Sequence, residues 1–185
     1  MHGLLVKPNI LSSDHCNQII DLFDHDDRRI QGKPQPAKLS TDLQCNFNDT
    51  QWHDYNAIIL PAVQSLIHLI RREYYFINYC GPWDTSNWYN IQHYQHDQGY
   101  YRHHCEHGRN TSNRMLAWMI YLNDSPCGTE FPYQQTTLQA IQGHGAIWSA
   151  AWTHPHKGVT PNIGDKYIAT GWCVYYDIYD PRPRE

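Results

Sequence analysis

From residue 87 onward the chain runs in short apolar segments broken by Gly, Pro, Asn and Asp, and this texture limits the fold more than any other feature. Strand-like segments fall at 87–95, 100–106, 114–122, 128–132, 136–141, 144–150, 152–157 and 166–177. A strand with one apolar face must bury it against a second layer. Eight short strands in about 90 residues therefore predict a mainly β fold, a barrel or a two-sheet jelly roll. The aromatic composition agrees: 14 Tyr and 7 Trp against 4 Phe supply large rings with polar ends, suited to strands and pockets.

The N-terminal part reads differently. Ser12, Ser13 or Asp14 can cap a helix whose apolar residues Cys16, Ile19, Ile20 and Phe23 recur at helical spacing. Residues 30–48, with Gly32, Pro34 and Pro36, read as an irregular connection. Between Trp52 and Arg72 the positions Trp52, Tyr55, Ile59, Ala62, Leu66 and Leu69 form the stripe of a helix packed on a sheet. Pro61 predicts a kink there or the start of a second helix. The expectation is one domain over 1–185, with a helical buttress at 1–75 and a β-barrel core at 76–185.

A formal net charge of -4 argues against a nucleic-acid partner, because such affinity comes mainly from Lys and Arg neutralising phosphates. No stretch approaches the roughly 20 apolar residues needed to span a bilayer, so no membrane partner is expected. Without a signal-like N-terminus, the expectation is a soluble cytoplasmic protein. The six cysteines form no Cys-x-x-Cys pair and are read as free thiols of a reducing compartment.

Thirteen histidines make metal binding worth testing, and spacing selects among them. His104 and Glu106 are separated by one residue, so on a strand both side chains would point to one face. They are two thirds of the triad of two histidines and one carboxylate that leaves open positions on Fe(II). A zinc site using Cys105 or His107 is disfavoured, because Cys105 would face the other way. His154 and His156 both offer the distal ligand. His156 is preferred because Gly158, Gly164 and Lys166 follow it at regular offsets. Lys166 could then meet the remote carboxylate of a 2-oxo acid chelating the metal, with a tyrosine such as Tyr121 sharing the task.

Four motifs occur in order: His104-Cys105-Glu106; Arg114 followed by Tyr121-Leu122-Asn123-Asp124; Gly128-Thr129-Glu130-Phe131-Pro132; and His156-Lys157-Gly158 followed by Gly164-Asp165-Lys166-Tyr167. Over residues 88 to 175 the chain resembles the prolyl 4-hydroxylase-like branch of the 2-oxoglutarate and Fe(II)-dependent dioxygenases. The resemblance implies a cupin-like double-stranded β-helix, with His104, Glu106 and His156 as catalytic iron ligands and Lys166 as the partner of the 2-oxoglutarate C5 carboxylate. It implies co-substrate contacts for Tyr121 and Tyr94 and a substrate-side place for Arg114. Trp148, Trp152 and Trp172 are weighed as pocket walls against core packing, and Trp148 is taken as a substrate residue. Fe(II), 2-oxoglutarate and O2 are the implied reactants, with ascorbate as an auxiliary reductant.

The implied reaction is hydroxylation of an unactivated C–H bond, with a prolyl residue in a peptide or protein as leading substrate. The alternatives are a small molecule or nucleobase on the same fold, or a catalytically silent metal-binding module. Glu106 departs from the family pattern, which has Asp there.

Overall fold

The computed structural model describes residues 3–32, 37–161 and 163–176. Ten strands and two α-helices are defined among them. The larger sheet is built from β1 (Leu4–Lys7), β2 (Ile30–Gln31), β3 (Thr41–Asn46), β4 (Trp83–Tyr94), β5 (Arg114–Tyr121), β8 (Gly145–Ser149) and β10 (Lys166–Tyr175). Its order is β1-β8-β5-β10-β4-β3-β2, antiparallel at every pairing. A smaller sheet, in the order β7-β6-β9, comprises β6 (Ser125–Phe131), β7 (Thr136–Ala140) and β9 (Lys157–Gly158). The fold is the mainly β jelly roll that the strand spacing predicts.

The central strands are apolar on both faces, because each face has its own cover. On β5, Leu116, Trp118 and Ile120 join a cluster with the helices, whereas Ala117, Met119 and Tyr121 join a second cluster with Phe131, Leu138 and Trp148. Helix α1 (Ser13–Asp24) is capped by Ser12, whose hydroxyl accepts the His15 N–H at 3.2 Å, and it buries Cys16, Ile19 and Phe23. Helix α2 (His53–Glu73) continues unbroken through Pro61, so no second helix starts there. Pro61 is on the solvent side together with Ala57, whose carbonyl the missing N–H would have met.

Three expectations are corrected. The first 75 residues are not only a helical buttress: β1, β2 and β3 extend the larger sheet, two of them from the supposed irregular connection 30–48. Pro34 and Pro36 of that connection lie outside the described residues, as does residue 177 at the end of the last expected strand. Segment 100–106 is not a strand; its only sheet-like pairings are isolated bridges, Lys38 with Tyr100 and His104 with His156. Segment 152–157 opens as a turn, and only Lys157–Gly158 pairs as β9. No helix is long and apolar enough to cross a membrane among the described residues. None of the six cysteines is in a disulfide.

Candidate metal centre and its cavity

His104 and His156 come together through their backbones, each N–H bonding the other's carbonyl at 3.0 Å. Each ring is then turned by a local bond. Nδ1 of His104 meets the Arg102 carbonyl at 3.2 Å, and Nδ1 of His156 meets the His154 carbonyl at 3.0 Å. A carbonyl only accepts, so Nδ1 carries a proton in each ring, and Nε2 is the atom that turns to Glu106 and, on losing its own proton, can bind a metal. Aromatic neighbours fix the ring planes: Tyr100 stacks on His104 at 3.7 Å, and His156 lies against Phe131 at 5.4 Å and edge-on to Trp148 at 5.0 Å.

Both Nε2 atoms lie 3.5 Å from Oε1 of Glu106. Glu106 is not on a strand, and bonds at both sides of its backbone replace a ladder. Its N–H donates to the Ala150 carbonyl at 3.2 Å, and its carbonyl accepts the Thr111 hydroxyl at 2.8 Å. Burial alone would raise the Glu106 carboxyl. Hydrogen bonds and charge from His104 and His156 outweigh burial and hold it well below the usual carboxylate range. The three ligand atoms lie within 4.8 Å of one another, and two imidazole nitrogens with one ionised oxygen suit Fe(II).

This cluster borders a cavity of about 320 Å³. Lys166 enters the same cavity on β10, only 2% exposed. Its Nζ donates to the Val159 carbonyl at 2.8 Å and reaches the Gly128 carbonyl at 3.5 Å, and it lies 5.2 Å from the Tyr94 ring centroid. No carboxylate among the described residues pairs with it. Burial pushes its pKa down to about 8. A buried ammonium without a counter-charge is costly unless a ligand brings one.

Tyr94 faces Lys166 across the β4–β10 pairing, lines the cavity, and donates its hydroxyl to Gln92 at 2.8 Å. Tyr121 is placed differently from its expected role. It lies behind Thr129, to which its hydroxyl donates at 2.8 Å, and Thr129 is the residue lining the cavity. Trp148 lines the cavity but is 2% exposed and packed on His156 and Phe131, which makes it a wall rather than an entrance. Arg114, expected on the substrate side, is tied to Glu106 Oε2 at 3.0 Å. His154 is buried away from the cluster beside Gly3, with Thr153 Oγ1 at 2.9 Å from Nδ1. Trp152 is 76% exposed.

Sequence reasoning missed Tyr100, Thr129, Asn90, Gln92, Lys38 and Asp42 as cavity walls. Inward alternation on β4 could have found Asn90 and Gln92, four and two residues before Tyr94. Lys38 and Asp42 carried no signal, because their segment read as a loop. They form an ion pair at 2.5 Å on the cavity rim.

Residues 89–174, which include every residue of the triad and Lys166, match the sequence model of the 2OG-Fe(II) oxygenase superfamily. These residues belong to that superfamily. That match supports an Fe(II)- and 2-oxoglutarate-dependent dioxygenase, with O2 as the third reactant. A comparison with curated proteins finds no significant match.

Solved structures share the dioxygenase fold. A viral collagen prolyl hydroxylase from Paramecium bursaria Chlorella virus-1, in complex with 2-oxoglutarate, is 15% identical with a TM-score of 0.70, covering 94% of this chain and 96% of its own. A Pseudomonas putida prolyl-4-hydroxylase is 15% identical with a TM-score of 0.70, over 96% and 95%. A Trichoplax adhaerens prolyl hydroxylase, in complex with a peptide fragment of the hypoxia inducible factor oxygen degradation domain, is 13% identical with a TM-score of 0.68, over 94% and 84%.

Proposed function

We propose that this dioxygenase hydroxylates an unactivated C–H bond of a prolyl residue in a peptide or protein, with His104, Glu106 and His156 as iron ligands and Lys166 as the anchor of 2-oxoglutarate. The observation that carries the reading is Lys166: a buried ammonium without a counter-charge among the described residues, in one cavity with two histidines and a carboxylate. When bound, iron and its co-substrate supply the oxidising chemistry, with 2-oxoglutarate leaving as succinate and carbon dioxide.

The chain's own residues bind, orient and exclude water. Lys166 meets the C5 carboxylate, and Gly158 leaves room beside it, since a Cβ there would stand 3.4 Å from Nζ. Tyr94, Thr129, Met119 and Ile168 line the same cavity. The buried rings of Phe131 and Trp148 keep the distal histidine dry. The polar rim of Lys38, Asp42, Asn90 and Gln92 offers hydrogen-bonding groups suited to a peptide backbone. Prolyl hydroxylation is favoured because the structural neighbours named above are prolyl hydroxylases, one of them holding a peptide. Ascorbate is expected to sustain turnover as a reductant.

The test is a peptide array with and without proline, offered with Fe(II), 2-oxoglutarate and ascorbate. Succinate release and a gain of one oxygen atom on proline-containing peptides alone are expected. Turnover confined to small molecules or nucleobases would replace the prolyl reading, and an absence of metal and co-substrate binding would replace the catalytic one.

A further inference from the structure

Glu106 has one more methylene than an aspartate, so one more torsion must be fixed before the carboxylate can act as a ligand. Two side chains of the larger sheet fix it. Trp172, on β10, donates its indole N–H to Glu106 Oε2 at 2.7 Å, and Arg114, at the start of β5, donates Nη1 to the same oxygen at 3.0 Å. The donors also hold each other, with the Arg114 guanidinium 3.6 Å from the Trp172 ring centroid. Their strands are hydrogen-bonded neighbours, in which Trp172 pairs with Ala117 and Val174 with Arg114. Oε1 is left to face the two histidines.

We propose that Arg114 and Trp172 are positioning residues that hold Glu106 as a one-oxygen ligand, so that a glutamate serves where the family pattern has a shorter carboxylate. This rests on reading His104, Glu106 and His156 as the iron site. Chelation through both oxygens would require two hydrogen bonds to a charged acceptor to break, and such bonds are among the stronger ones in proteins. A one-oxygen carboxylate keeps coordination positions open for the co-substrate and oxygen. The indole is a donor only, so it cannot compete for the metal.

The experiment titrates the whole protein with Mn(II), followed by the loss of the free-ion EPR signal, and records the visible spectrum of the Co(II) form. Trp172→Phe keeps the ring and removes the donor; Arg114→Met removes the other. Each is expected to weaken Mn(II) binding about 10- to 100-fold, the usual scale for a group that orients a ligand. Each should also dim the Co(II) visible bands, as Glu106 turns to bind through both oxygens and raises the coordination number.

Glu106→Asp is expected to weaken binding too. On that background Trp172→Phe should change affinity less than about twofold, because the shorter carboxylate no longer reaches the indole. Unchanged affinity and spectrum in both single variants would overturn the clamp, as would an equal effect of Trp172→Phe on both backgrounds. A wild type that binds no Mn(II) would overturn the iron-site reading and the clamp together; binding by the wild type with indifferent variants would overturn the clamp alone.

Discussion

His104 and His156 pair N–H to carbonyl in both directions at 3.0 Å, yet they belong to no longer ladder. The proposed iron site thus hangs on one two-residue bridge, with ring centroids 4.5 Å apart. His154, two residues away, is turned towards Gly3 and Thr153.

That arrangement separates the two candidates for the distal ligand. His156→Ala is expected to weaken Mn(II) binding more than about 100-fold, beyond the range for groups that only orient a ligand. His154→Ala should leave affinity within about threefold. A Mn(II) titration of both variants decides, and the reverse ranking would move the distal ligand to His154.

Lys166 gives a pH signature with two opposite slopes. Its folded pKa of about 8 lies below the ordinary 10.5, so the fold disfavours the charged form. The cost is fully present below pH 8 and fades as pH rises towards 10.5, so this group adds stability to the ligand-free protein over that window. Affinity for 2-oxoglutarate should fall over the same window, because the ammonium that meets its carboxylate is lost. Urea midpoints and calorimetric titrations from pH 7 to 10 read the two slopes. Lys166→Met should abolish both and weaken co-substrate binding by roughly 2–5 kcal/mol at pH 7.

Thr129 lines the cavity, and Tyr121, expected to contact the co-substrate, bonds to Thr129 from behind. Tyr121→Phe removes one buried hydrogen bond and should cost about 1 kcal/mol of stability, with 2-oxoglutarate affinity nearly unchanged. Thr129→Val alters the cavity wall itself and should weaken the co-substrate more. Competitive binding of a 2-oxoglutarate analogue distinguishes them; a larger loss for Tyr121→Phe would restore the direct contact.

Gly128 has the least room for a Cβ of the described glycines. A Cβ there would lie 1.6 Å from the Leu138 carbonyl oxygen, an overlap that only backbone movement relieves. The β6–β7 register shifts between Ser125 and Thr129, so the glycine sits within that irregularity. Gly128→Ala is expected to lower stability by at least about 2 kcal/mol, measured by denaturant unfolding, because overpacking against fixed atoms is costly.

The site was legible in the sequence to the extent that chemistry fixes spacing. His104 with Glu106 and His156 with Lys166 are short intervals in the chain, and the structure brings all four to one cavity. The route was partly wrong: His104 and Glu106 share a direction through a two-bond bridge to His156 and a backbone bond to Ala150, not through a strand. The alternation rule reads only periodicity and cannot tell a ladder from a lone bridge. β1 stayed hidden because it is a short edge segment that gains its structure from its neighbour, and β3 because Leu43 and Cys45 are the apolar residues of an otherwise polar run. Arg114 was found for its place in a motif, but its bond to Glu106 depends on the register of β5 against β10, which no local pattern encodes.

The larger sheet keeps two separate interiors, one shared with the helices and one shared with the cavity walls. Trp118 and Met119 are consecutive, yet they belong to different interiors. Descent can therefore rewrite the helix side freely, provided volume and apolarity are kept, without touching a residue near the reaction. Two lineages could drift until their backs share almost no letters while their chemistry is inherited intact. Identities of 13–15% beside TM-scores of 0.68–0.70 show that the fold itself persists through replacement of most of its residues.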